Sequence, residues 1–190
     1  MITNVTGVIL AGGKSSRMGQ NKALLHYENK PLIEHAVEKL SGIFSRVVLS
    51  VNDPEAFPQF DLPHVTDQYP ETGPLGAIAS VLETGERRIF AAACDMPFLN
   101  PHLIEFICSL EKNDAVVPVW GEKPEVLHAV YSAALLPTFQ FWLKHGRYRI
   151  IDAIEESSVL YLLQQEIAKL DPDGNSFRNI NTPADYELIK

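Results

Sequence analysis

The sequence predicts an α/β fold, a mainly parallel sheet flanked by helices, on three observations. Short apolar runs recur at residues 5–10, 47–51 and 89–94, and a run apolar on both faces reads as a buried strand. Each run ends on glycine or polar residues: Gly12-Gly13, Asn52-Asp53-Pro54 and Asp95-Met96-Pro97. Between the runs apolar residues return at helical spacing, and alternating strands and helices are the pattern of domains built on a parallel sheet.

The elements follow in order. Pro31 suits the first position of a helix, and Leu32, Ile33, Ala36, Val37 and Leu40 then share one face. A short strand is expected at residues 64–66, ending at Asp67. Gly73-Pro74 precedes a second helix through Leu75, Ile78, Ala79 and Leu82, and a third helix covers residues 103–110. The second half is less regular. Residues 115–120 and 127–131 read as strands around the turn-like Gly121-Glu122-Lys123-Pro124. Residues 135–145 form an amphipathic helix stopped by Gly146, 150–154 a short helix and 159–163 a strand. After a turn at 171–175, Thr182 as N-cap, Pro183 and Asp185 open a last helix. Ligands of such sheets sit at the carboxyl ends of the strands. Gly12, Asn52, Asp67 and Asp95 all follow strand ends and are expected to line one crevice.

At 190 residues the chain is read as a single domain, residues 1–190, large enough for a substantial core. A net charge of −8 argues against a nucleic-acid partner, which would need a basic face. The two cysteines, Cys94 and Cys108, lack metal-type spacing and fit a reduced cytoplasmic protein. The sequence carries no signal-peptide pattern and no apolar segment of membrane-spanning length. A soluble cytoplasmic protein with no membrane partner is the expectation.

The first strand breaks into Leu10-Ala11-Gly12-Gly13-Lys14-Ser15-Ser16-Arg17-Met18-Gly19-Gln20-Asn21-Lys22. Adjacent glycines remove the Cβ atoms that would hold a ligand off the backbone. Successive N–H groups can then converge on an anion, with Lys14, Arg17 and Lys22 supplying positive charge. This is a phosphate-binding turn. Two familiar phosphate motifs fail on spacing. The P-loop pattern would need glycine where Val8 stands, and in the dinucleotide fingerprint Gly12-Gly13 would not be followed next by Gly19.

Leu10-Ala11-Gly12-Gly13, Arg17-Met18-Gly19 and Lys22 together resemble the loop of the Rossmann-like nucleotidyltransferases. With Gly73-Pro74-Leu75-Gly76-Ala77, Cys94-Asp95-Met96-Pro97 and Asn179-Ile180-Asn181-Thr182-Pro183, the chain looks most like the molybdenum cofactor guanylyltransferases. The resemblance implies a Rossmann-like nucleotidyltransferase fold whose N-terminal half binds GTP and whose C-terminal half binds the acceptor. It implies Mg²⁺-dependent transfer of GMP from GTP to the terminal phosphate of molybdopterin, with or without its metal, releasing pyrophosphate. It further implies contact with cofactor-insertion and molybdoenzyme maturation proteins. Family members using CTP tend to carry alanine where Gly12 stands, so Gly12 points to GTP. The family often has Asp before the lysine; here Asn21 keeps the hydrogen-bonding capacity and loses the charge. The alternative readings are transfer from CTP or to a sugar or alcohol phosphate, and nucleotide binding without catalysis.

In nucleotidyl transfer an acceptor phosphate attacks the α-phosphorus of a nucleoside triphosphate. An ionised phosphate needs no general base, so the protein must bring polyanions together and stabilise charge on the leaving group. On the resemblance, Lys22 contacts the nucleotide phosphates and Arg17 the leaving pyrophosphate, with Asp95 completing the catalytic set. A carboxylate at a strand end suits Mg²⁺, so Asp95 is the expected metal ligand and Asn181 a second contact near the metal. The remaining GTP-binding candidates are Leu10, Ala11, Gly12, Gly13, Asn52, Asp67 and Gly76. Asn52 and Asp67 align with nucleotide-contacting positions of the family, Asp67 accepting hydrogen bonds from guanine N–H groups, while Gly76 approaches the base. His128 reads as a satisfied core or substrate-edge histidine. Trp120, Phe139, Phe141 and Trp142 read as core or acceptor-side wall, and Cys94 as a small buried residue.

Overall fold

The structure, a computed structural model, describes residues 1–12, 22–53 and 55–180. Gly13, Arg17, Asn181 and the helix expected from Thr182 lie outside the described residues.

The central strand is β1 (Thr6–Leu10), buried along its whole length. A hairpin of β2 (His26–Tyr27) and β3 (Lys30–Pro31) follows, turning through Glu28 and Asn29 at φ 48° and 66°. Such a two-residue turn needs positive φ at both positions, for which Asn-Gly is the usual signal; Glu28-Asn29 does not carry it. Helix α1 (Leu32–Ile43) starts directly after Pro31. Strands β4 (Val47–Val51) and β5 (His64–Thr66) then build out on one side of β1. Helix α2 (Pro74–Glu83) carries the chain back, and β6 (Arg88–Ala93) pairs β1 on its other side. Helix α3 (Pro101–Ser109) is capped by Asn100, whose side chain accepts from His102 N–H and Leu103 N–H.

The second half adds β7 (Ala115–Trp120), β8 (Lys123–Pro124), β9 (His128–Ser132), α4 (Leu136–Lys144), α5 (Ile150–Ile154), β10 (Val159–Leu162) and α6 (Gln164–Ile167). The sheet order is β10-β7-β9-β6-β1-β4-β5, with β8 paired on β7. β6, β1, β4 and β5 are parallel, as is β10 to β7, whereas β9 runs antiparallel to both β6 and β7. The short β7–β8–β9 connection allows only antiparallel neighbours, since a parallel return needs a longer crossover.

Both faces of the sheet are covered. Val5, Ile9, Leu49, Phe90 and Ala92 pack with Ile33 and Leu40 of α1 and Leu103 of α3. Val8, Leu10, Val48, Ile89 and Ala91 point the other way, with Ile78 of α2, Phe139 of α4 and Ile154 of α5. Alternate residues feeding two cores is why these strands read as unbroken apolar runs.

Phe90 is fully buried, stacked on Phe44 at 5.8 Å and edge-on to His128 at 5.0 Å. Phe90→Ala is expected to cost about 3–5 kcal/mol of stability in a urea titration. A loss below about 1 kcal/mol would contradict this packing.

Candidate active site

Strand ends build the site. The β1–β4 pairing continues past β1, with Ala11 N–H donating to Ser50 O at 2.9 Å. Gly12 then lies against Asn52: a Cβ there would sit 2.5 Å from Asn52 Oδ1. Glycine lets the Asn52 carboxamide close on the backbone, and an alanine would have to turn it aside. Beyond β5, Asp67 N–H donates to Val51 O at 2.9 Å, while Asp67 Oδ1 accepts from Tyr69 N–H at 2.8 Å and the Ser80 hydroxyl at 3.2 Å. Beyond β6, Cys94 N–H donates to Leu10 O at 3.3 Å and Asp95 follows.

These ends enclose a cavity of about 680 Å³, within the range of small-molecule sites. Leu10, Ala11, Gly12 and Lys22 line it, as do Asn52, Asp67 and Asp95. Gly76 does not. It is buried in α2, and a Cβ there would meet Thr72 Oγ1 at 2.0 Å and Tyr69 O at 2.9 Å. Its missing side chain lets the turn before α2 seat on the helix. Gly13, Arg17 and Asn181 cannot be placed, being outside the described residues.

Asp95 Oδ1 is buried and has no hydrogen-bond partner among the described residues. Burial pushes its carboxyl above the usual range, while the nearby Lys22 ammonium and a backbone hydrogen bond pull the other way. Ile180 N–H donates to Asp95 O at 3.0 Å, so the segment before the last residues closes on the same strand end. That contact brings Asn179 to the cavity, with a second buried oxygen, Oδ1, that has no partner among the described residues. Buried oxygens without donors are costly unless something electropositive satisfies them. Hard oxygen donors of this kind suit Mg²⁺, which needs only one or two protein carboxylates besides phosphates and water.

Sequence reasoning missed several lining residues. Asn179 belongs to the same motif as Asn181, the asparagine to which the resemblance points. Leu127 enters just before β9, and Glu71 from the turn before α2, with no local signal for either. Cys94 is half-buried, its thiol pushed up to about 12 chiefly by burial, with Asp95 adding to the effect. Trp120 packs on Phe177 at 5.9 Å and Phe139 is fully buried. Phe141 stands exposed on α4, neither core nor part of the cavity wall.

His128 is buried as expected and is not satisfied: both ring nitrogens lack partners among the described residues. Phe90 and Phe177 face it edge-on at 5.0 and 5.2 Å. Burial pushes its pKa down to about 3, opposed by Asp171. The unfolded chain accepts a proton near 6.5 that the folded one refuses, so this residue's contribution to stability falls as pH drops from 6.5 towards about 3. The slope is up to about 1.4 kcal/mol per pH unit. His128→Phe is expected to flatten unfolding free energy against pH across that window, and an unchanged slope would contradict the neutral buried imidazole.

A family model described as MobA-like NTP transferase domain matches residues 7–159. The chain belongs to this family. The matched span of this MobA-like chain runs from β1 to the start of β10. A probable molybdenum cofactor guanylyltransferase of Natranaerobius thermophilus is 36% identical, the alignment covering 100% of this chain and 97% of the relative. Another, from Methanosarcina mazei, is 34% identical over 96% of this chain and 88% of its own length. The crystal structure of molybdopterin-guanine dinucleotide biosynthesis protein A from Archaeoglobus fulgidus superposes with a TM-score of 0.86 at 26% identity, over 97% of this chain and 96% of that one. The Rossmann-like nucleotidyltransferase fold implied by the sequence is the fold of this MobA-like chain. Among the described residues, no helix is long and apolar enough to cross a membrane.

Proposed function

We propose that this chain transfers GMP from GTP to the terminal phosphate of molybdopterin, forming molybdopterin guanine dinucleotide and releasing pyrophosphate. The observation that carries the reading is the joint placement of Gly12, Lys22 and the buried Asp95 carboxylate on one cavity at the carboxyl ends of parallel strands. The similar guanylyltransferases support the choice of nucleotide and acceptor.

In the reaction an oxygen of the acceptor phosphate forms a bond to the α-phosphorus. The bond from that phosphorus to the bridging oxygen breaks, and its electron pair leaves on pyrophosphate. The attacking oxygen is already ionised, so no side chain has to remove a proton. The protein's work is placement and charge compensation. Gly12 allows phosphate to reach the backbone, and the Lys22 ammonium offsets its charge. Gly13 and Arg17, outside the described residues, complete the phosphate side of this proposal. Leu10, Ala11, Asn52 and Asp67 line the nucleotide side, and Leu127 and Asn179 come from the half assigned to the acceptor.

Asp95 Oδ1 and Asn179 Oδ1 fit Mg²⁺ as hard oxygens without donors among the described residues, with Asn181 a further candidate. When bound, the ion neutralises the triphosphate and the charge developing on pyrophosphate. The same proposal places the enzyme in the cytoplasm and has it hand its product to cofactor-insertion and molybdoenzyme maturation proteins.

Pyrophosphate release tests the reading, with Mg²⁺, molybdopterin and each nucleoside triphosphate offered in turn. Turnover with GTP alone is expected. Equal turnover with CTP would overturn the nucleotide, and none with any triphosphate would overturn the activity. Asp95→Ala is expected to lower release at least about 100-fold with the thermal midpoint retained. Wild-type turnover in that variant would remove Asp95 from the catalytic set.

A further inference from the structure

Asp95 and Asn179 stand on two chain segments, 95–100 and 176–180, that are fastened to each other at both ends. At one end Ile180 N–H donates to Asp95 O at 3.0 Å. At the other, Asn100 N–H donates to Ser176 Oγ at 3.0 Å, and Asn100 Nδ2 donates to Leu170 O at 2.8 Å. Asp95 Oδ1 and Asn179 Oδ1, buried and without partners among the described residues, belong one to each segment. Asn100 also caps α3, its Oδ1 accepting from His102 N–H at 3.0 Å and Leu103 N–H at 3.4 Å. One side chain thus joins a helix start, the turn after Asp95 and the segment that carries Asn179.

The 176–180 segment has little regular structure to hold it. Asn175–Phe177 is a single 3-10 turn, and residues 178–180 belong to no helix or strand. Its start is fixed by Asp171, whose Oδ1 accepts from Asn175 N–H at 3.0 Å and Oδ2 from Ser176 N–H at 2.8 Å. Ser176 is fully buried, so its hydroxyl offers Asn100 a fixed acceptor. Capping α3 needs only an acceptor on the side chain, which serine or aspartate would supply as well. The amide donor of Asn100 is surplus to the cap, and it is spent on Leu170 O. Mg²⁺ demands oxygens in near-ideal octahedral geometry, and residues behind the ligands commonly set how those ligands stand.

We propose that Asn100 is a positioning residue for the metal site: by tying the 170–180 segment to the turn after Asp95, it sets Asn179 Oδ1 and Asp95 Oδ1 as a pair of cation ligands. This rests on the Mg²⁺ assignment above. Mn²⁺ alone, titrated into the protein and followed by the electron paramagnetic resonance of the free ion, reads the site without turnover. Asp95→Ala defines the site by its loss, and Asn179→Ala is expected to weaken it about tenfold. Asn100→Ser keeps a cap acceptor and loses the amide donor, so the thermal midpoint should fall by no more than about 4 °C. Mn²⁺ affinity should fall about fivefold in that variant, and similarly in Ser176→Ala, which removes the acceptor of the Asn100 N–H. In the Asn179→Ala background, Asn100→Ser should change affinity by less than about twofold, because the oxygen it positions is gone. A loss below about twofold in Asn100→Ser overturns the positioning role, as does a larger loss that persists in the Asn179→Ala background. Wild-type affinity in Asn179→Ala overturns the proposal and leaves Asp95 as ligand. Equal Mn²⁺ binding by the wild type and Asp95→Ala overturns the metal assignment itself.

Discussion

In the pairing of β1 with its neighbours, Leu10 lies opposite Ser50 of β4 on one side and Ala93 of β6 on the other. Hydrogen bonds from Ala11 to Ser50 and from Cys94 to Leu10 carry that register just past the strand ends. Because the strands are parallel, Gly12, Asn52 and Asp95 emerge on one edge, although they are far apart in sequence. A slip of one residue would exchange the two faces and send Ile9 and Val8 to the wrong cores. The chain also reverses direction at β1, building towards β5 and then crossing back to β6. Crevices at such switch points are where open α/β sheets hold ligands.

Around that edge the rules obeyed by the core are broken together. Asp95 Oδ1 and Asn179 Oδ1 are buried with no hydrogen-bond partner among the described residues, and Glu71 is held at φ 70°. Each costs stability in the absence of ligand, while the two apolar layers on the sheet faces make up for it. A nucleotide with its cation would satisfy the two oxygens, so binding should also stabilise the fold. His128 is a different case. It lies between Phe90 and Phe177 away from the cavity lining, and its unsatisfied nitrogens belong to the core.

Strands β1, β4 and β6 and helices α1 and α2 were legible because burial on both faces leaves long apolar runs and because Pro31 and Pro74 mark helix starts. The placing of Gly12 and Asp95 on the cavity was legible because each directly follows an apolar strand in contiguous sequence. What was not legible depends on contacts between distant segments. The β2–β3 hairpin turns on Glu28-Asn29, whose positive φ angles are imposed by context. Asn179 reaches the cavity only because Ile180 bonds Asp95 O. Gly76 stands among residues that line the cavity, Gly73, Pro74 and Ala77, yet helical rotation turns it towards Tyr69. His128 looked satisfied because no sequence pattern reveals that both of its neighbouring rings are apolar.

The orientation of the nucleotide is the central claim, and a crystal structure with Mg²⁺ and a GTP analogue carrying a methylene between the α- and β-phosphates tests it directly. The account predicts guanine at the Asp67 side, the triphosphate over Gly12 and Lys22, and the ion on Asp95. Phosphates at the Asp67 side, or an ion that leaves Asp95 Oδ1 without a ligand, would contradict it.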